Sequence, residues 1–410
     1  MLWQLGRALR LAVLLLGAKA SAGVGTAAAD APPRPRLSVL YIIVDDLRPE
    51  LGYSQPQRKG LSTPNVDALA NKSMIFDRAF IQQGVCGPTR NSFMSGRRPA
   101  ATRAWNFKSS FRDAPGGASW TALPQAFKQA GYLTAGFGKT YHPGQPKAYD
   151  CPAFPTDCPS WSVQYQPGAG KGGHGCHNVS EQGETGCASG AWQACNDPDD
   201  EIIDGNVTNL ALAQMRKAQA SSTPFFINVG IHKPHVPWVF PRRFLDAQLS
   251  TAETDLPLQR VQPTGMPPIA YYKCENLCND SVVGHGCFNR STPFAADYTR
   301  EYRRAYRAAT SWMDFLVGRL TAELATLGLD SRTIIAFNGD QCVRPCYPTD
   351  HALTLTLRAP VVGLVAGISA RKEAGASRAI SRGLPGSRFC CTCLACRPGS
   401  GRRRWLRWWI

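Results

Sequence analysis

The sequence predicts an α/β fold with a mainly parallel or mixed sheet sandwiched by helices. Three observations lead there. Short apolar runs rich in β-branched residues recur along the chain, helical patterns separate them, and polar residues able to do chemistry stand directly after several of the runs. The runs are apolar nearly throughout, as strands covered on both faces must be.

The first run is 37–44 (LSVLYIIV), read as a buried strand. Helical patterns follow around 65–72, 90–95 and 122–130, the last stopping before Gly131. A second strand is expected at 132–137. A long stretch rich in Gly, Pro and Cys comes next, and then a helix at 206–220 and a buried strand at 224–230 (PFFINVG). A long helix is expected at 296–327, ending at Gly328, with the next strand at 333–337 (TIIAF).

At 410 residues the chain is long enough for two or three domains of about 150 residues. With 43% hydrophobic and 18% charged residues it is of ordinary globular composition, which excludes disorder, collagen and coiled coil. The net charge of +17 is unevenly spread. From residue 342 onward twelve Arg and Lys face only Asp350 and Glu373, so +10 of the +17 lies in that last segment. The body is only mildly basic, and no nucleic-acid partner is expected.

Arg7 and Arg10, the apolar run 11–18 and the small residues Ala18, Ala20, Ser21 and Ala22 have the order of a signal peptide over 1–22. No other stretch reaches about 18 apolar residues, so a soluble mature protein without stable membrane insertion is expected. Fifteen Cys suit an oxidising compartment. Cys151, Cys158, Cys176, Cys187, Cys195, Cys274, Cys278 and Cys287 could form four bridges, with the pairing left open, and they lack the paired CxxC of a zinc site. Glycosylation sequons begin at Asn71, Asn178, Asn206, Asn279 and Asn289.

The strand ends carry the functional signal. Asp45 and Asp46 end the first strand, and Gly138, Lys139 and His142 follow the second. His232, Lys233 and His235 follow the third, and Asp340 follows the fourth. Sites in α/β sheets assemble just beyond the carboxyl ends of strands, so these residues predict one site. Asp45, Asp46 and Asp340 offer hard oxygens suited to Ca²⁺ or Mg²⁺. The sharpest motif is Cys86-Gly87-Pro88-Thr89-Arg90, continuing Asn91-Ser92-Phe93-Met94-Ser95-Gly96-Arg97-Arg98-Pro99.

This run resembles the signature of the type I sulfatases, whose C-x-P-x-R cysteine becomes formylglycine during secretion. The resemblance extends over about three quarters of the chain, through STPNVDALA, GYLTAGFGKTYHPG, PFFINVGIHKPHVP and TIIAFNGD. It is nearest to the branch acting on 2-sulfated iduronate. The resemblance implies an alkaline phosphatase-like sulfatase domain over 37–341 and a formylglycine-generating enzyme as partner during secretion. It implies removal of sulfate from a glycosaminoglycan or other sulfated polysaccharide, in the lysosome or outside the cell. The formylglycine made from Cys86 would hydrate to a diol that attacks sulfur. Ca²⁺ would be held by Asp45, Asp46, Asp340, Gln341 and the residue at 86. Arg90 would fix the formylglycine, while Lys139 and His232 would contact sulfate. His232 would be the acid for the leaving alcohol, and His142 a base near the diol.

After Asp340 the chain departs from the family. Gln341 stands where His or Asn is expected, and no lysine follows until Lys372, so the second sulfate-binding lysine has no counterpart. Segment 342–410, rich in Arg and Cys and ending in Trp405, Trp408 and Trp409, reads as an aberrant or disordered tail, with LRAPVVG (357–363) a faint match to a further strand. Two alternatives accompany the sulfatase reading. One is a catalytically impaired relative that binds sulfated glycans, and the other a phosphate or phosphonate ester hydrolase on the same fold.

Overall fold

A computed structural model describes residues 36–341 and the backbone strand 360–366. Stretches 57–58, 144–147, 154, 171–174, 184–191, 259, 261–264 and 266–294 within it lie outside the described residues. So do the expected signal peptide at 1–22, Cys187, Cys274, Cys278, Cys287, the sequons at Asn279 and Asn289, and 342–410 apart from the one strand.

The main strands are β1 (Ser38–Val44), β2 (Ser73–Phe80), β3 (Leu133–Gly138), β6 (Phe225–Ile231), β8 (Thr333–Gly339) and β9 (Pro360–Ala366). They form one six-stranded sheet in the order β2-β9-β8-β1-β6-β3. The pairs β1–β6, β1–β8 and β3–β6 are parallel, while β9 is antiparallel to both β2 and β8. A smaller sheet holds β4 (Val179–Gln182), β5 (Trp192–Cys195) and β7 (Trp238–Pro241). The helices are α1 (Pro64–Ala70), α2 (Cys86–Ser95), α3 (Pro99–Thr102), α4 (Leu123–Gln129), α5 (Ile203–Ala220), α6 (Arg242–Asp246) and α7 (Ala296–Thr326).

Strand β1 shows why both faces are covered. Its side chains alternate between faces, and each set meets a different core. Leu40, Ile42 and Val44 join Val66 and Leu69 of α1, Val207 and Met215 of α5, and Trp312, Leu316 and Leu320 of α7. Tyr41 and Ile43 join Met94 of α2, Phe111 and Trp161, with Leu123 and Phe127 of α4 packed alongside. Asp314 on α7 also accepts the backbone N–H groups of Asn65 and Val66, at 3.2 and 2.7 Å, which satisfies orphan donors at the start of α1.

Several expectations are refined. Helix α2 begins at Cys86 rather than Arg90, because Pro88 in a first turn needs no N–H partner. Strand β2 (SMIFDRAF) had no counterpart among the expected elements, since its Asp and Arg interrupt the apolar pattern. The Gly/Pro/Cys-rich stretch carries β4 and β5 and two disulfides, Cys151–Cys158 and Cys176–Cys195. Asp197 lies close to the second bridge, but its oxygens accept the N–H groups of His177 and Asn178, so this group is structural. Strand β9 (PVVGLVA) enters the main sheet, so this short stretch of the Arg/Cys-rich segment belongs to the fold. Asn71 and Asn178 are exposed, whereas Asn206 sits in the first turn of α5 with its Oδ1 accepting the N–H of Ala169. Among the described residues, no helix is long and apolar enough to cross a membrane.

Candidate active site

The parallel register builds the site. Val44 is level with both Ile231 and Gly339, and Gly138 with Gly230. The next residues on four strands, Asp45, His232, Asp340 and Lys139, therefore emerge along one carboxyl edge. Backbone bonds hold them there: Asp45 N–H donates to Ile231 O at 3.1 Å, Asp340 N–H to Val44 O at 2.9 Å, and Lys139 N–H to Gly230 O at 2.8 Å. Glycine is required at the last contact. A Cβ on Gly230 would lie 2.1 Å from the carbonyl carbon of Lys139, and one on Gly138, at φ +66°, would lie 2.1 Å from Gly230 O.

Seven of the expected residues form a single buried cluster. Arg90 is fully buried, and its Nε donates to Asp340 Oδ2 at 2.8 Å while Nη2 lies 3.4 Å from Asp45 Oδ1. Lys139 Nζ donates to Asp45 Oδ2. Asp46, at φ +55°, donates its N–H to Asp340 Oδ1 at 3.1 Å and accepts from Gln341 Nε2 at 2.8 Å. Cys86, a free thiol at the first position of α2, has its Sγ within 4.8 Å of carboxylate oxygens of Asp45 and Asp340.

The electrostatics call for added positive charge. Burial drives the Asp45 carboxyl up, yet Lys139, with help from His235 and Arg90, holds it well below the usual carboxylate range. At Asp340, burial pushes the carboxyl well up; Arg90 offsets this only in part, and the charge of Asp45 adds to the rise. At Lys139 burial is the largest single influence and lowers the pKa, but Asp45, Cys86 and Asp340 together more than offset it, so the ammonium persists. Burial and then Asp45 push the Cys86 thiol up to about 12, so the unmodified side chain is neither thiolate nucleophile nor ready metal ligand.

A hard divalent cation fits these residues. Among the described residues no donor hydrogen-bonds to the buried oxygens Asp45 Oδ1 and Gln341 Oε1, although Arg90 Nη2 lies 3.4 Å from the first. Together with Asp46 and Asp340 they give an all-oxygen set of the kind Ca²⁺ or Mg²⁺ takes. A sulfur at position 86 is the misfit among hard donors, and an oxygen function there would match them.

The two expected histidines flank the cluster. His142 stacks on Phe107, with ring centroids 4.3 Å apart, and its Nδ1 lies 2.7 Å from Pro143 O. That carbonyl can only accept, so Nδ1 carries the proton and Nε2 the lone pair. Burial, reinforced by Lys139, lowers its pKa to about 4, which keeps the ring neutral near pH 7. His232 directly follows β6 and is held by Asp204 through both its backbone N–H and its Nδ1. His235 places Nε2 3.6 Å from Asp46 Oδ2, and burial lowers it to about 3. Lys233 is buried, its Nζ donating to His235 O at 3.0 Å and Pro237 O at 2.7 Å, and burial lowers it to about 8. Asp204 was missed from sequence. An acid in the first turn of a helix reads as a cap, and nothing local announces a histidine 28 residues away.

A carboxylate cluster suited to a hard cation, beside an arginine and a lysine at the carboxyl edge of such a sheet, fits a hydrolase of oxyanion esters. The family model described as Sulfatase matches residues 38–346, and the chain belongs to the sulfatase family. Among curated relatives it is 36% identical to human iduronate 2-sulfatase over 362 residues, 83% of this chain and 59% of that protein. The mouse iduronate 2-sulfatase is 36% identical over 342 residues, 80% of this chain and 58% of that one. The chain thus spans about three fifths of the length of these relatives. Two solved structures share the fold. A phosphonate monoester hydrolase from Silicibacter pomeroyi has a TM-score of 0.59 at 18% identity, covering 82% of this chain and 69% of that one. A 2-O GAG sulfatase has a TM-score of 0.51 at 17% identity, covering 81% and 64%.

Proposed function

We propose that this chain is a sulfuric ester hydrolase that removes sulfate from a sulfated carbohydrate, with the 2-sulfated uronic acids of glycosaminoglycans as the best-supported class. The cluster carries the reading: a buried cysteine at a helix start, two cations, three carboxylates and two oxygens without donors among the described residues, all at one sheet edge. The 36% identity to iduronate 2-sulfatases supports the substrate class. The expected leader and the two disulfides support passage through the secretory route, to lysosome or exterior.

Formylglycine at position 86 would supply the oxygen nucleophile, and Ca²⁺ held by Asp45, Asp46, Asp340 and Gln341 would polarise it and the sulfate oxygens. The residues of this chain do the rest. Arg90 and Lys139 bring fixed positive charge into a site from which water is largely excluded, where it stabilises a transferring anion strongly. The α2 N-terminus adds amide dipoles on the same side. His142, neutral with its lone pair on Nε2, can accept a proton, and His232 can donate one to the leaving alcohol.

The test is sulfate release from a 2-sulfated uronate disaccharide by protein purified from a secreting cell. Mass spectrometry of the residue-86 peptide would report whether the thiol has become an aldehyde. Release by the unaltered chain, and at least about a hundredfold less by Cys86→Ala at unchanged melting temperature, is expected. A chain converted at residue 86 that binds the disaccharide without releasing sulfate would instead identify a glycan-binding relative, the reading favoured by the lack of any lysine between Asp340 and Lys372.

A further inference from the structure

Asp204 is the second residue of α5, and its side chain is fully buried where that helix meets the end of β6. Its carboxylate accepts three hydrogen bonds. Oδ1 takes the backbone N–H of His232 at 2.8 Å and the His232 ring Nδ1 at 2.8 Å, and Oδ2 takes the N–H of Lys233 at 2.9 Å. An ionised carboxylate can only accept, so the ring nitrogen facing it must bear hydrogen. Burial alone would raise the carboxyl, but attraction to His232, the hydrogen bonds and Lys233 outweigh it and keep the group below the usual range, hence ionised. The first turn of an 18-residue helix adds a favourable field for that charge.

Two backbone bonds would suffice to tie α5 to β6. The third, to the ring, has no such structural need. We propose that Asp204 is a positioning residue that holds His232 as the Nδ1–H tautomer, so that Nε2 is the nitrogen exchanging a proton with the substrate. The role in turnover rests on the sulfatase reading; the tautomer does not. When the ester S–O bond breaks, its electron pair stays on the alcohol oxygen and the sulfuryl group passes to the attacking oxygen. With Nδ1–H fixed on Asp204, Nε2 first takes up a proton from water; the alcohol then receives that Nε2 proton, which leaves the neutral ring still bonded through Nδ1–H to Asp204.

The test combines a spectroscopic and a kinetic readout. Imidazole ¹⁵N NMR of the full chain, with the His232 signals assigned by their loss in His232→Gln, should show neutral His232 protonated on Nδ1. Protonation on Nε2 with a bare Nδ1 would overturn the proposal, and this measurement needs no turnover. In kinetics on the uronate 2-sulfate disaccharide, Asp204→Asn should lower kcat by about a hundredfold while KM changes less than about threefold. Added to His232→Gln, the same change should cost less than about threefold more, because it acts only through the ring. Equal, multiplying losses in the two backgrounds would show a merely structural role and overturn the proposal. An Nδ1–H signal in a chain that releases no sulfate would leave the positioning in place and refute the sulfatase reading instead.

Discussion

Replacing Arg90 by methionine keeps the volume of a buried side chain and deletes its charge. In the structure Arg90 is fully buried, donates from Nε to Asp340 Oδ2 at 2.8 Å and sets Nη2 3.4 Å from Asp45 Oδ1. Lys139 still serves Asp45, so the loss falls chiefly on Asp340, which burial already makes unfavourable as an anion. Stranding one partner of a buried ion pair costs about 3–5 kcal/mol. Each kcal/mol shifts the melting temperature of a domain of 150–250 residues by about 2–4 °C. The body here is larger, so the lower half of that range applies, and a fall of about 6–15 °C is expected in chelator. Differential scanning fluorimetry of unaltered and Arg90→Met protein, in chelator and in millimolar Ca²⁺, measures it. Calcium should recover part of the loss by supplying positive charge to the same carboxylates. A shift below about 2 °C in chelator would show that Arg90 does not compensate the carboxylate cluster and would refute the reasoning.

Two further outcomes follow from the same geometry. Gln341→Leu removes the buried Oε1, which has no donor among the described residues, and the bond from Nε2 to Asp46, so calcium affinity measured by calorimetry should fall at least about tenfold; an unchanged affinity would remove Gln341 from the ligand set. His142, lowered to about 4 from an ordinary 6.5, binds fewer protons folded than unfolded between those values. Its contribution to stability is thus complete above pH 6.5 and is lost as pH falls toward 4. His142→Gln should therefore lose less stability than the unaltered protein between pH 7 and 4.5 in urea titrations, with His235 leaving a residual slope of the same sign. Equal losses would show that His142 does not titrate as its surroundings demand.

The sheet was legible because its central strands are buried on both faces. LSVLYIIV and PFFINVG leave no reading but strand, and the residues after them must then share an edge. That reasoning located Asp45, Lys139, His232 and Asp340, while the motif from Cys86 to Arg90 placed the helix that meets them. What escaped was of two kinds. Strands β2, β4 and β5 are half-polar or short, and they are fixed by neighbours and disulfides rather than by their own pattern. Asp204 escaped because its meaning is tertiary: an acid on α5 gains a role only when the sheet brings the end of β6 against it.

The hydrogen bond from Arg90 to Asp340 joins residues 250 positions apart, and the thiol of Cys86 is 2% exposed beside it. At 5–20 residues per second, about 12–50 s of synthesis separate the appearance of Arg90 from that of Asp340. During that interval the strand that closes the cluster does not yet exist, so the packing around position 86 is incomplete. Once β8 pairs with β1, the same packing that organises the cluster buries the Cys86 side chain. Any conversion of the residue-86 thiol would therefore have to precede that closure, and faster folding of the last strand would shorten the time open to it.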